Sequence, residues 1–190
     1  MRINGKKRAA AGTVVETYSC TTMPSPVGFL KLVASDKALV AVLWENDDPK
    51  RVSVRALKED DEHPVLIEAR RQLEDYFAGK LTRFKLALDF HGTEFQKAVW
   101  RALIEIPFGK TRSYAQIAQQ IGKPKAVRAV GAASGKNPIS IIAPCHRVIG
   151  SNGKLTGFAG GLEAKALLLK LETPKGPFEL KSAGPAAGAK

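Results

Sequence analysis

The segment Pro144-Cys145-His146-Arg147-Val148 places a thiol beside an imidazole and a guanidinium. The nucleophilic form of cysteine is its thiolate, and an ordinary thiol is only a few per cent ionised at neutral pH. A neighbouring base or cation favours the thiolate, so this pentapeptide holds the ingredients of an activated nucleophile. Side chains of adjacent residues rarely meet. His146 would therefore act on Cys145 directly only in a tight turn, and otherwise through a water. Such a pair also needs an acid to orient the imidazole, and Glu172 and Glu163 are the nearby candidates. The competing reading is a buried structural cysteine, a common feature of protein cores. Cys20, His63, His91, Cys145 and His146 are scattered and match no zinc-ligand spacing, so neither a metal nor another cofactor is expected.

The surrounding elements must hold this segment. Asn137-Pro138 and Pro144 make it irregular and rigid, and Ile139 to Ala143 read as a short buried stretch that delivers Cys145 into an interior pocket. Upstream, a helix over about 113–121 has Ala115, Ile117, Ala118 and Ile121 as inner residues; Gly122 turns the chain, and Pro124 starts a second helix that runs to about Ser134. Two short helices across such a turn match the bihelical DNA-reading unit. The second helix has small residues at Ala126, Ala129, Gly131, Ala132 and Ala133, with Arg128 as its one long cation beyond Lys125 in the first turn. A base-reading helix normally carries several polar side chains, so this one suits close approach to DNA without choice of sequence. A small-residue helix packed in a core is the alternative.

Before this unit, Thr93 is a natural N-cap for a helix carrying Phe95, Val99, Trp100, Leu103 and Ile104, ended by Pro107 and Gly109. A final helix begins near Leu162 and continues to Glu172. The first half reads as a small α/β unit. Strands are expected over 14–18, 29–33 and 38–44, then a helix from Pro64 with Leu66, Ile67, Ala69, Leu73, Tyr76 and Phe77 at near-helical spacing and Gly79 as its stop. The organisation expected is a flexible basic arm over 1–12, an α/β domain over 13–91, a DNA-binding domain over 92–175 and a flexible tail over 176–190.

Charge supports the same division. The net charge is +12, and residues 91–190 carry 15 Lys and Arg against 5 acids, while residues 1–90 carry 15 against 13. Such asymmetry is the footprint of a polyanion binder, although a merely soluble basic surface would share it. No apolar stretch follows the basic amino terminus as a secretory signal requires, and two unpaired cysteines fit a reducing compartment. A cytoplasmic protein is expected.

Taken together, Pro144-Cys145-His146-Arg147-Val148, Arg128-Ala129-Val130-Gly131-Ala132-Ala133, Asn137-Pro138 and Gly157-Phe158-Ala159-Gly160-Gly161-Leu162 resemble the O6-alkylguanine-DNA alkyltransferases, or methylated-DNA–protein-cysteine methyltransferases. The resemblance covers residues 92–173 strongly and the amino-terminal half in general pattern. It implies an amino-terminal ribonuclease-H-like α/β domain and a carboxy-terminal winged-helix (helix-turn-helix) alkyltransferase domain. It implies a suicidal, single-turnover enzyme that flips O6-alkylguanine from duplex DNA and transfers the alkyl group irreversibly to Cys145. In that scheme Glu172 orients His146, which deprotonates Cys145 through a water, and Asn137 braces the segment. Tyr114 rotates the target phosphate and protonates the leaving guanine, and Arg128 replaces the flipped base. Lys125, Ala126, Ala129 and Gly131 meet the minor groove without sequence preference. Val148, Ala159, Ser134 and Tyr114 line the substrate pocket. Cooperative self-association on DNA is part of the same picture.

The chain lacks the cysteines and histidines with which some members hold an amino-terminal zinc. Ser134, Ser140 and Ala159 stand where other members carry different pocket residues, and a transcriptional role through a four-cysteine regulatory domain is not expected. A non-catalytic lesion binder would lack Cys145, and a winged-helix transcription regulator would select one operator sequence.

Overall fold

The computed structural model describes residues 17–54 and 57–173. The expected arm over 1–12, the tail over 176–190 and Val14, Val15 and Glu16 of the first expected strand lie outside the described residues. Strands β1 (Tyr18–Met23), β2 (Leu30–Ala34) and β3 (Leu39–Trp44) form an antiparallel meander, and β4 (Leu57–Glu59) adds to β1 in parallel, giving the order β3-β2-β1-β4. Strand β1 runs on from Ser19 to Met23, beyond the expected end at residue 18. Pairing with β2 satisfies its backbone there and buries Cys20 and Thr21. β4, which lies just ahead of an acidic stretch, was not expected at all.

Helix α1 (Pro64–Phe77) starts on a proline whose missing N–H costs nothing at a first helical position. It lays Leu66, Ala69, Leu73 and Tyr76 on the sheet. Ile67 and Ile104, both expected on inner faces, are exposed. Each is next to a buried leucine, and one residue along a helix turns the side chain about 100° away from the core.

Helices α2 (Glu94–Ile104) and α3 (Tyr114–Gln120) each begin with a capping box, Thr93 with Gln96 and Ser113 with Gln116. Gly122, at φ +69°, then makes the turn. Helix α4 (Val127–Gly135) begins three residues later than expected from Pro124, because residues 123–126 form a turn closed by the Ala126 N–H donating to the Lys123 carbonyl. The short strands β5 (Arg112–Ser113) and β6 (Val148–Ile149) pair in parallel, and α5 (Gly161–Glu172) closes the chain. α2, α3 and α4 enclose one core around Trp100, Leu103, Ile117 and Val130. A second core lies between the sheet, α1, α5 and Ile139, Ile141 and Ile142. This is a mixed α/β architecture in which the cysteine segment runs between both cores. No helix among the described residues is long and apolar enough to cross a membrane.

Candidate active site

Residues 139–143 are buried throughout and carry the chain into a single 3-10 turn, Cys145–Arg147. Ile141 within this run adopts φ +73°. A β-branched residue in the left-handed region costs on the order of 1–3 kcal/mol, so the surroundings must impose it. The Ile141 side chain is locked in the sheet-side core, and Asn137 staples both ends of the run. The Asn137 amide donates to the Ala143 carbonyl at 2.7 Å and to Cys145 Sγ at 3.2 Å, while its Oδ1 accepts from the Ile139 N–H at 3.1 Å. Arg51, itself paired with Asp47, donates to the Asn137 carbonyl.

Burial pushes the Cys145 thiol up, and the Asn137 hydrogen bond and the charges of Lys165 and Arg51 oppose that without reversing it. The resting group is a thiol that needs a base. The His146 ring is wholly buried, with Nε2 2.7 Å from Glu172 Oε1. The carboxylate fixes the ring proton on Nε2, and Nδ1 has no hydrogen-bond partner among the described residues. Burial, the largest influence, lowers the His146 pKa; Glu172 works against it and Arg147 and Lys165 with it. The imidazole is thus neutral with a free lone pair on Nδ1.

Glu172 Oε1 also accepts from the Tyr76 hydroxyl at 2.7 Å and from Arg147 Nη2 at 2.9 Å. Its Oε2 accepts from Arg147 Nε at 2.8 Å and from the Gly109 N–H at 3.2 Å. Burial works to raise the Glu172 pKa, but the bonds and charges of His146 and Arg147 hold it at about 2. Gly109 needs its identity, since a Cβ there would lie 2.9 Å from the Glu172 carbonyl oxygen at a φ of +69°. Lys165 is buried with no carboxylate partner among the described residues. Its ammonium donates to the carbonyls of Val148 at 2.6 Å and Thr156 at 2.8 Å, and burial lowers its pKa to about 8.

The structure therefore brings Cys145, His146, Asn137 and Glu172 together. Glu163, the other candidate acid, is exposed in the first turn of α5. On the outer side Lys125, Arg128 and Ala129 are exposed and Ala126 and Gly131 half-buried, and Ala126, the N-cap residue of α4, makes no side-chain cap. Tyr114 is half-buried at the start of α3, its hydroxyl accepting from Thr156 Oγ1 at 3.2 Å. A Cβ on Gly131 would sit 3.8 Å from the Tyr114 ring. Ser134 is buried on α4 with its Oγ unpartnered, Val148 is buried in the β5–β6 pair, and Ala159 is half-buried before α5.

Four participants escaped the sequence reading: Tyr76, Lys165, Arg51 and Trp44, whose Nε1 donates to Ser140 Oγ at 3.2 Å. Tyr76 shows only the spacing of an inward-facing helical residue, Trp44 ends an expected strand, and no motif sets Lys165 or Arg51 apart. Only tertiary packing reveals their polar partners. Among the described residues, no three His, Cys, Asp or Glu side chains cluster to hold a metal ion.

Two family models match this chain. The 6-O-methylguanine DNA methyltransferase ribonuclease-like domain matches residues 18–90, and the DNA binding domain of the same family matches residues 94–174. A methylated-DNA–protein-cysteine methyltransferase of Methanosarcina acetivorans is 53% identical over 148 residues, 78% of this chain and 94% of the relative. One from Mycolicibacterium paratuberculosis is 49% identical over 162 residues, 84% of this chain and 94% of the relative. The crystal structure of Mycobacterium tuberculosis OGT in complex with DNA superposes with a TM-score of 0.75 at 47% identity, covering 85% of this chain and 96% of that one.

Proposed function

Because the chain belongs to the methylated-DNA–protein-cysteine methyltransferase family, we propose that Cys145 is its alkyl acceptor, with His146, Glu172 and Asn137 as the groups that activate and hold the thiol. The protein is a DNA repair methyltransferase that binds DNA and moves an alkyl group from O6 of guanine to a cysteine of its own. The observation that carries the assignment is the buried turn in which Cys145, a thiol whose pKa is raised by burial, is followed by His146, whose Nε2 is held by Glu172 and whose Nδ1 has no partner among the described residues.

The step balances as a displacement at carbon. The thiol proton passes to His146 Nδ1 through one bridging water, and Sγ attacks the alkyl carbon. The S–C bond forms as the C–O6 bond breaks, and the electron pair stays on guanine, which takes a proton from Tyr114. Glu172 stabilises the imidazolium, and Asn137 donates to the sulfur while its charge is present. A thioether is a poor electrophile, so each molecule reacts once.

DNA delivers the guanine through α3 and α4. The uncapped α4 N-terminus and Lys125 suit a phosphate, and the small faces of Ala126, Ala129 and Gly131 suit close minor-groove contact without sequence choice. Arg128, exposed on α4, fills the stack left by the flipped base; flipping costs a few kcal/mol, which stacking partly offsets. Ser134, Val148, Ala159 and Tyr114 border the site, with the Val148 carbonyl held in place by Lys165. Duplex carrying O6-methylguanine with a labelled methyl group tests the reading. The label transfers to wild-type protein and stays on DNA with Cys145→Ala; label on both proteins, or on neither, contradicts it.

A further inference from the structure

The reactive set draws a group from the amino-terminal domain. Tyr76, on α1, is wholly buried, its ring packed at 5.3, 5.4 and 6.2 Å from Phe77, Phe84 and Phe108. A hydroxyl so enclosed is costly unless hydrogen-bonded, and here it donates to Glu172 Oε1 at 2.7 Å. That is the same oxygen that meets His146 Nε2, also at 2.7 Å. Around the His146 ring stand Glu172 and Lys165 of α5 and Arg147 of its own turn, and Lys165 also lies within electrostatic reach of Cys145. From α1, Tyr76 enters the set through the carboxylate.

We propose that Tyr76 is a positioning residue for alkyl transfer, whose hydroxyl shares Glu172 Oε1 with the His146 ring and so keeps the imidazole neutral at neutral pH. This rests on the assignment of Cys145, His146 and Glu172 above. Each donor to a carboxylate draws on the same negative charge. With Tyr76 in place, part of that charge is spent on a neutral hydroxyl. Without it, more falls on His146 Nε2 and stabilises the imidazolium. A protonated His146 has no lone pair to receive the thiol proton, so the loss appears at low pH and disappears at high pH.

Tyr76→Phe removes only the hydroxyl and keeps the ring among its aromatic neighbours. The experiment measures single-turnover transfer from O6-methylguanine duplex, from about pH 5.5 to about pH 9. Duplex affinity is measured in parallel for Cys145→Ser alone and for Cys145→Ser with Tyr76→Phe. In Tyr76→Phe the midpoint of the rise in rate moves up by about one unit. The rate is then about tenfold lower on the acid limb and within about twofold at the alkaline end, with duplex affinity unchanged. An unchanged profile overturns the proposal. So does a rate loss that is equal at every pH, or one matched by a loss of duplex affinity, since either marks a structural role. Wild-type protein that accepts no alkyl group at any pH overturns the functional assignment instead.

Discussion

Glu172 accepts five hydrogen bonds, from Tyr76, His146, Gly109 and two nitrogens of Arg147, and this fixes the direction of its effect on stability. Its pKa is about 2 in the fold against an ordinary 4.5. A lowered folded pKa means that the contribution is complete above the unfolded value and is lost as pH falls from 4.5 toward 2. Urea midpoints measured through that range should fall steeply for the wild type, and Glu172→Gln should flatten this part of the curve. Equal slopes would contradict the buried network. Cys145, His146, Asn137 and Glu172 were legible because they stand in a recognisable pattern of residue types. Tyr76 and Lys165 were not. Helical spacing shows that Tyr76 faces inward, but not that a carboxylate from residue 172 meets its hydroxyl. Likewise a lysine in a helix is normally solvated, and only the packed fold shows Lys165 holding two carbonyls.

At the scale of elements, α4 separates presentation from chemistry. Arg128 is exposed on it, whereas Cys145 lies behind it in the core. Arg128→Ala should therefore slow transfer from O6-methylguanine in duplex DNA by about tenfold to a hundredfold, the equivalent of roughly 1–3 kcal/mol of lost stacking. Transfer from a free O6-alkylguanine base should hardly change. An equal loss on both substrates would place Arg128 in the chemistry instead. The helices themselves were readable from capping boxes and apolar spacing. The start of α4 was misplaced because proline marks a helix start and a turn equally well, and the Lys123–Ala126 hydrogen bond decided for the turn. The extent of β1 and the existence of β4 were hidden for a related reason: both depend on partners distant in sequence, and β4 is three exposed residues with no apolar alternation.

Across the whole molecule, two cores divide the work. The carboxy-terminal core carries α2, α3, α4 and Cys145, while the sheet-side core fixes Ile139 to Ile142 and the buried face of α5. The amino-terminal domain thus supplies Tyr76, Arg51 and Trp44 as props for the segment that carries Cys145 and for the carboxylate behind it. The concentration of positive charge after residue 90 was legible from the sequence alone, and it predicts a steep salt dependence. Affinity for undamaged duplex should fall on the order of a hundredfold or more as salt rises from about 50 to about 200 mM, read by fluorescence anisotropy. A flat response would mean that the basic surface does not meet phosphates. Whether Cys145 takes the alkyl group once and keeps it is read from intact-mass and peptide spectrometry after incubation with O6-methylguanine duplex. The protein should gain one methylene per molecule and no more, located on the peptide that carries Cys145. Unmodified protein beside demethylated DNA, or a methyl group on any other residue, would contradict it.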